Sequence, residues 1–262
     1  MPAPDRLIPP INDGACHDRR REPVQREWIV SRGLFSRRTR AIDRAMIDSS
    51  YSPPDDPIRV VHTDHEVVLV DKPAGLLSVP GKGEDLADCM IARLQRVFPE
   101  ALLVHRLDRD TSGLMVFALT RHAQRVLSAQ FEGRQTKKTY IARLWGHLQP
   151  KTGLVDLPLI VDWPNRPLQH VDHENGKPAQ TDWRVQRLEP EGTTRVRLYP
   201  LTGRSHQLRV HMQALGHPIL GDPLYATGAA RDFPRLMLHS AELRFRHPDS
   251  GKGMTISAPC PF

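Results

Sequence analysis

VHRLDRDTSGLMVFALT, residues 104–120, is the stretch whose reading decides the fold and the chemistry of this chain. Two apolar runs, Ala101–Val104 and Leu114–Leu119, bracket a short segment that contains Arg106, Asp108, Arg109 and Asp110. An ordinary turn is built from Gly, Asn or Pro and gains nothing from a carboxylate set between arginines. Asp108 stands at the mouth of a strand-like run, with cations on either side that favour its anionic form. A carboxylate that acts as nucleophile or base needs such a setting. The same residues also fit a solvated polar loop joining two buried strands.

Two further runs bear on that choice. PLTGRSHQLRVHMQALGHPILGD, residues 200–222, opens on a Thr-Gly turn and continues as a predicted helix. Ser205 is its expected N-cap, Leu208, Met212 and Leu215 mark an apolar face, and Gly216 suits its C-terminal end. Arg204, His206, Arg209 and His211 then fall on its first turns, where free N–H groups already favour anions. Taken alone, the run also fits an amphipathic helix with a basic solvent face. GRQTKKTYIARLWGHL, residues 133–148, alternates as a strand from Lys138, with Tyr140, Ala142 and Leu144 on one face. A tyrosine there reads equally well as core.

In this order the three runs resemble the RluA-type pseudouridine synthases. HRLDRDTSG is similar to the family's catalytic-aspartate motif, KKTY to its tyrosine motif and GRSHQLRVH to its third motif. DKPAGLLSVPG, residues 71–81, is similar to the segment that opens its catalytic domain. LVDLPLIVDWPNRP and GKPAQTDW place the resemblance nearest the branch directed at tRNA and 23S rRNA. The resemblance extends from about Pro57 to residue 262, and several ordered motifs make it far more specific than one short pattern.

The resemblance implies an enzyme that isomerises uridine to pseudouridine within RNA, by detaching the base at N1, turning it and rejoining it at C5. It implies an α+β pseudouridine synthase fold, a long, bent, mainly antiparallel sheet flanked by helices with a central cleft. Asp108 maps onto the catalytic aspartate, acting at the sugar as a nucleophile or as a base that generates a glycal. Tyr140 maps onto the tyrosine that stacks on the target base and is a candidate for removing the C5 proton. Arg209 maps onto the arginine paired with the aspartate. Arg106 maps onto the residue that enters the RNA stack where the target nucleotide has left, a role suited to a planar guanidinium. Arg109, Lys137, Lys138, Arg204 and His206 complete the expected RNA contacts. The implied substrates are a tRNA anticodon stem-loop and 23S rRNA. Neither a cofactor nor a metal is expected, because remaking a glycosidic bond needs no redox or group-transfer chemistry.

Two rivals follow from the residues: an RNA-binding module of the same fold that has lost catalysis, and a hydrolase using Asp108 with Asp110 as paired carboxylates.

Composition narrows the field. The net charge of +7 is unevenly spread: residues 1–45 hold ten Lys/Arg against six Asp/Glu, so most of the basicity lies outside the region of resemblance. RNA binding there must come from local clusters, Arg204 with Arg209, Lys137 with Lys138 and Arg106 with Arg109. Residues 1–45 are rich in Arg and Pro and read as a disordered basic extension, with a short helix at most around 38–47. They hold too few apolar residues for an S4-type RNA-binding domain, and Met46 reads as an alternative start. Residues 57–262 are the expected catalytic domain. Cys16, Cys89 and Cys260 show no metal-ligand spacing and read as free thiols. No run approaches the roughly eighteen apolar residues of a membrane span, and no signal-peptide pattern opens the chain, so a cytoplasmic monomer is expected.

Coarse elements complete the reading. Val67–Val70 is a predicted buried strand, Asp85–Phe98 a helix, and Thr120–Phe131 a second helix capped by Thr120 and stopped at Gly133. Strands are expected at 139–145, 181–186, 194–199, 238–245 and 254–257. The proline-broken segment 162–175, DWPNRPLQHVDHEN, reads either as a loop that chooses the substrate or as a connection with a buried tryptophan.

Overall fold

A computed structural model describes residues 51–262; the readings made for residues 1–45, for Met46 and for Cys16 lie outside them. Strand β2 (Val67–Lys72) and strand β4 (Ser112–Ala118) are buried on both faces, which is why each reads as an unbroken apolar run rather than an alternation. Val68, Val70, Met115 and Phe117 point into one core, while Val67, Leu69, Leu114 and Val116 point into a second core across the sheet. Around this pair the main sheet runs β1 (Arg59–Thr63), β2, β4, β11 (Leu238–Arg246), β5 (Lys137–Trp145), β10 (Thr193–Pro200), β9 (Gln180–Glu189), β6 (Thr152–Asp156). β3 (Leu102–Leu103) joins β4, and β12 (Gly253–Ser257) joins β11. Its pairings are antiparallel except where β4 and β11 run parallel. The α+β, mainly antiparallel architecture expected from the sequence is the one observed.

The parallel junction depends on one residue. Gly113, at φ +111, lies so close to β11 that a Cβ would sit 2.3 Å from the Ser240 carbonyl oxygen. The glycine that ends the HRLDRDTSG run is therefore required by the sheet itself.

Helix α2 (Arg121–Glu132) is as expected: the Thr120 hydroxyl accepts from the Ala123 N–H at 3.0 Å, and Gly133 stands at the C-cap. Two helices differ from the sequence reading. In place of one helix over 85–98 there is a 3₁₀ turn, Glu84–Leu86, followed by α1 (Met90–Gln95). The N–H groups of Met90 and Ile91 donate to the carbonyls of Leu77 and Ser78, which takes them out of any continuous helix through residue 88. Helix α3 spans Gln207–Ala214, and Ser205 is not its cap. Instead His206 adopts the left-handed conformation at φ 54, and the Gln207 side chain folds back to accept from the Arg204 N–H at 3.0 Å and the Thr202 hydroxyl at 2.6 Å. Two short strands missed in the sequence, β7 (Leu159–Val161) and β8 (Gln169–Val171), form a separate hairpin. Among the described residues no helix is long and apolar enough to cross a membrane.

Candidate active site

The loop that carries Asp108 is pinned from beneath by DKPAGLLSVPG. Lys72 is fully buried, and its ammonium donates to the carbonyls of Pro73, Leu76 and Arg109 at 2.7–2.8 Å. The Gly75 N–H also donates to the Arg109 carbonyl, at 2.9 Å. Ser78 binds both polar groups of Leu107, donating to its carbonyl at 2.6 Å and accepting from its N–H at 3.1 Å. Two sequence runs some thirty residues apart thus form one rigid turn with Asp108 between its anchors. Burial pulls the Lys72 amine down to about 7, against the pull of Asp110 and Asp108.

Above this turn opens a cavity of about 570 Å³, walled by the loop 104–108, the segment 200–204, α2, α3 and the start of β5. Asp108, Tyr140 and Arg209 all line it, as do Arg106, Lys138, Arg204 and His206. Three residues of the sequence reading behave differently. Lys137 is exposed outside the cavity, since strand alternation turns it away from the face shared by Lys138 and Tyr140. Arg109 is also outside, occupied by Asp110 at 2.9 Å, so it does not flank the Asp108 carboxylate. His211, placed on a basic helix face from the sequence, is fully buried and bonds Thr181 and the Leu157 carbonyl.

The cation that does face Asp108 is Arg209, with Nη1 3.6 Å from its Oδ2. Only 2% of Arg209 is exposed. Its Nε and Nη2 donate in a fork to Asp222, both at 2.7 Å, and its guanidinium lies 5.1 Å from the ring centre of Tyr225. Asp222 is fully buried and its Oδ1 also accepts from the N–H groups of Leu224 and Tyr225. Burial opposes the charge on Arg209, but Asp222 and then Asp108 outweigh it and hold its pKa above the usual value. A paired, hydrogen-bonded guanidinium is the affordable form of a buried charge. Asp222 was missed in the sequence reading; the signal was there in ILGD, an acid ending an apolar run beyond the helix.

Tyr140 shares its face with Ala142 and Leu144, as the alternation predicts, and is 9% exposed. Burial, reinforced by the Asp108 charge and opposed by a hydrogen bond with Ser240, pushes its hydroxyl up to about 12, so the phenol is neutral at neutral pH. His105 stacks on Phe131 at 4.4 Å, and its Nε2 accepts from the Val116 N–H at 3.1 Å. Burial, helped by Lys138, lowers its pKa to about 3. Burial likewise lowers His206, whose Nδ1 lies 2.7 Å from the Tyr225 hydroxyl, so its neutral ring and not a cation lines the wall. The cavity therefore offers Asp108 beside one fixed counter-cation, an aromatic face, a second carboxylate in the exposed Glu132 and exposed cations at the rim. Among the described residues no group of three or more His, Cys, Asp or Glu is arranged to hold a metal.

Comparisons with known proteins agree with this geometry. Residues 66–214 match the family described as RNA pseudouridylate synthase. The chain is 54% identical over 215 residues to the dual-specificity RNA pseudouridine synthase RluA of Escherichia coli strain K12, covering 81% of this chain and 98% of the relative. The similarly named protein of Vibrio vulnificus is 53% identical over 218 residues, covering 81% and 87%. Among solved structures, human RNA pseudouridylate synthase domain containing 1 superposes with a TM-score of 0.66 at 31% identity, covering 80% of this chain and 87% of that one.

Proposed function

Because the chain belongs to the RNA pseudouridylate synthase family, and is thus an isomerase of uridine in RNA, we propose that Asp108 performs the chemistry and that its substrates are a tRNA anticodon-loop uridine and a 23S rRNA hairpin-loop uridine. The observation that carries this reading is the convergence of Asp108, Tyr140 and the Asp222-held Arg209 on one cavity.

A uridine extruded from a loop enters the cavity, and unstacking it costs a few kcal/mol that an aromatic face partly offsets. Tyr140 supplies that face; its neutral phenol favours stacking over a role as base. Asp108 acts on the ribose, at C1′ or at its neighbouring proton. Arg209 keeps Asp108 anionic when RNA excludes water, because a fixed counter-charge opposes the cost of burying a carboxylate. Arg106 is exposed at the rim and fills the gap the uridine leaves, with Arg204 and Lys138 on the phosphates. The hydrolase reading that pairs Asp108 with Asp110 loses that second acid, since Asp110 is paired with Arg109 and does not line the cavity. We also infer that the enzyme works in the cytoplasm as a monomer.

Release of tritium from RNA labelled at uridine C5 tests this, with total tRNA and a 23S rRNA transcript assayed separately. Release from both supports the dual substrate; release from one alone removes the other. Free uracil in place of retained pseudouridine would reinstate a hydrolase.

A further inference from the structure

The β7–β8 hairpin carries the one aromatic platform of the described residues that is both widely exposed and backed by a cation. Trp163 at its tip is 63% exposed, contrary to the buried alternative weighed from the sequence. The Arg166 guanidinium lies over the indole at 4.4 Å from the ring centroid, which covers one face and leaves the side chain otherwise open to water.

The tip is nevertheless built firmly. The Asp162 N–H donates to the Leu168 carbonyl at 2.9 Å, and the Asn165 side-chain amide donates to the Asp162 carboxylate at 2.9 Å. Behind it, Leu159, Leu168 and Val171 pack with Val210 and Tyr225. The Gln169 N–H donates to the Tyr225 hydroxyl at 2.9 Å, and that hydroxyl touches His206 in the cavity wall. The Tyr225 ring in turn lies against Arg209. The platform is thus continuous, through Tyr225, with the wall that holds the counter-cation of Asp108.

We propose that Trp163, backed by Arg166, is a stacking subsite for an unpaired base of the RNA substrate lying beside the extruded uridine. A π-face is open to any base, and the guanidinium behind it adds attraction for the nearby phosphate. The hairpin then acts as the element that selects loops whose neighbouring base can splay outward. This rests on the RNA reading above.

The test uses the full chain with an anticodon stem-loop RNA labelled at C5, in wild type, Trp163→Ala and Trp163→Phe. Loss of a stacked base should raise KM and the RNA dissociation constant roughly 5- to 100-fold in Trp163→Ala, with kcat far less affected. Trp163→Phe should restore most of the loss, because it keeps a ring. A set of RNAs with one abasic nucleotide each then locates the partner: one position should weaken wild type but add nothing in Trp163→Ala. The proposal is overturned if Trp163→Ala binds within about twofold of wild type, if the loss falls on kcat alone, or if no abasic position shows this non-additivity. An inactive wild type would instead sink the parent reading.

Discussion

The floor and the rim of the cavity are built on opposite principles. On the floor, Arg209 and Asp222 are buried charges and Lys72 a buried amine, each with its hydrogen bonds consumed by fixed partners. At the rim, Arg106 and Arg204 are exposed. The floor holds charges where reorganisation would be slow and costly, which suits a carboxylate that must keep one orientation through bond breaking. The rim holds exposed cations, which suit a polymer whose shape varies. The lesson is that a basic residue near the site is not by itself an RNA contact. Arg209, grouped with Arg204 as a basic cluster in the sequence and also mapped there onto the aspartate's partner, is buried 3.6 Å from Asp108 and not exposed at the rim.

The sharpest way to break the floor is Asp222→Asn. It leaves a buried guanidinium without its carboxylate, a change that costs about 3–5 kcal/mol where a buried pair loses one partner. Denaturant melts should show that loss, and single-turnover tritium release should fall at least about 100-fold as Arg209 leaves its position. Normal release by a stably folded Asp222→Asn would show that Arg209 needs no such fixing.

Acid should come next, acting on the buried histidines. His105 and His239 are lowered by burial to about 3 and about 4 from an ordinary 6.5, so the unfolded chain binds their protons first. Their contribution is fully present above pH 6.5 and is lost as pH falls from there toward 4 and 3. The melting temperature should therefore drop steadily over that window, with more than one proton taken up on unfolding. His105→Asn should flatten the slope, and an unchanged slope would remove His105 from the account.

At the rim the effects shrink. Arg204→Ala should weaken RNA binding uniformly across sequences and lower the salt dependence by about one phosphate contact. Arg109→Ala, which breaks an exposed pair with Asp110, should change stability by no more than about 1 kcal/mol and leave the salt dependence as it was. If the two variants behaved alike in salt titrations, the division between cavity-facing and outward-facing cations would fail.

Much of this was legible in the sequence where one local rule governed. The alternation of β5 put Tyr140 on the buried face, and the Thr120 cap fixed the start of α2. The elements misread were those where distant backbone competed for the same groups. Helix 85–98 broke because Leu77 and Ser78 take the amides of Met90 and Ile91. Ser205 lost its capping role to Gln207, whose side chain reaches back to Thr202 and Arg204. Asp222 escaped notice because the partner that gives it its role, Arg209, lies thirteen residues earlier on α3. Trp163 could be placed on a loop by the prolines around it, but its exposure depends on how the β7–β8 hairpin sits against Tyr225.

The central claim is that Asp108 performs the chemistry while the surrounding residues position and bind. Asp108→Asn keeps the shape of the side chain and removes its charge, so single-turnover tritium release and RNA affinity measured on that one variant separate the two roles. The account predicts no detectable release with RNA still bound. Release at a rate near that of wild type would contradict it.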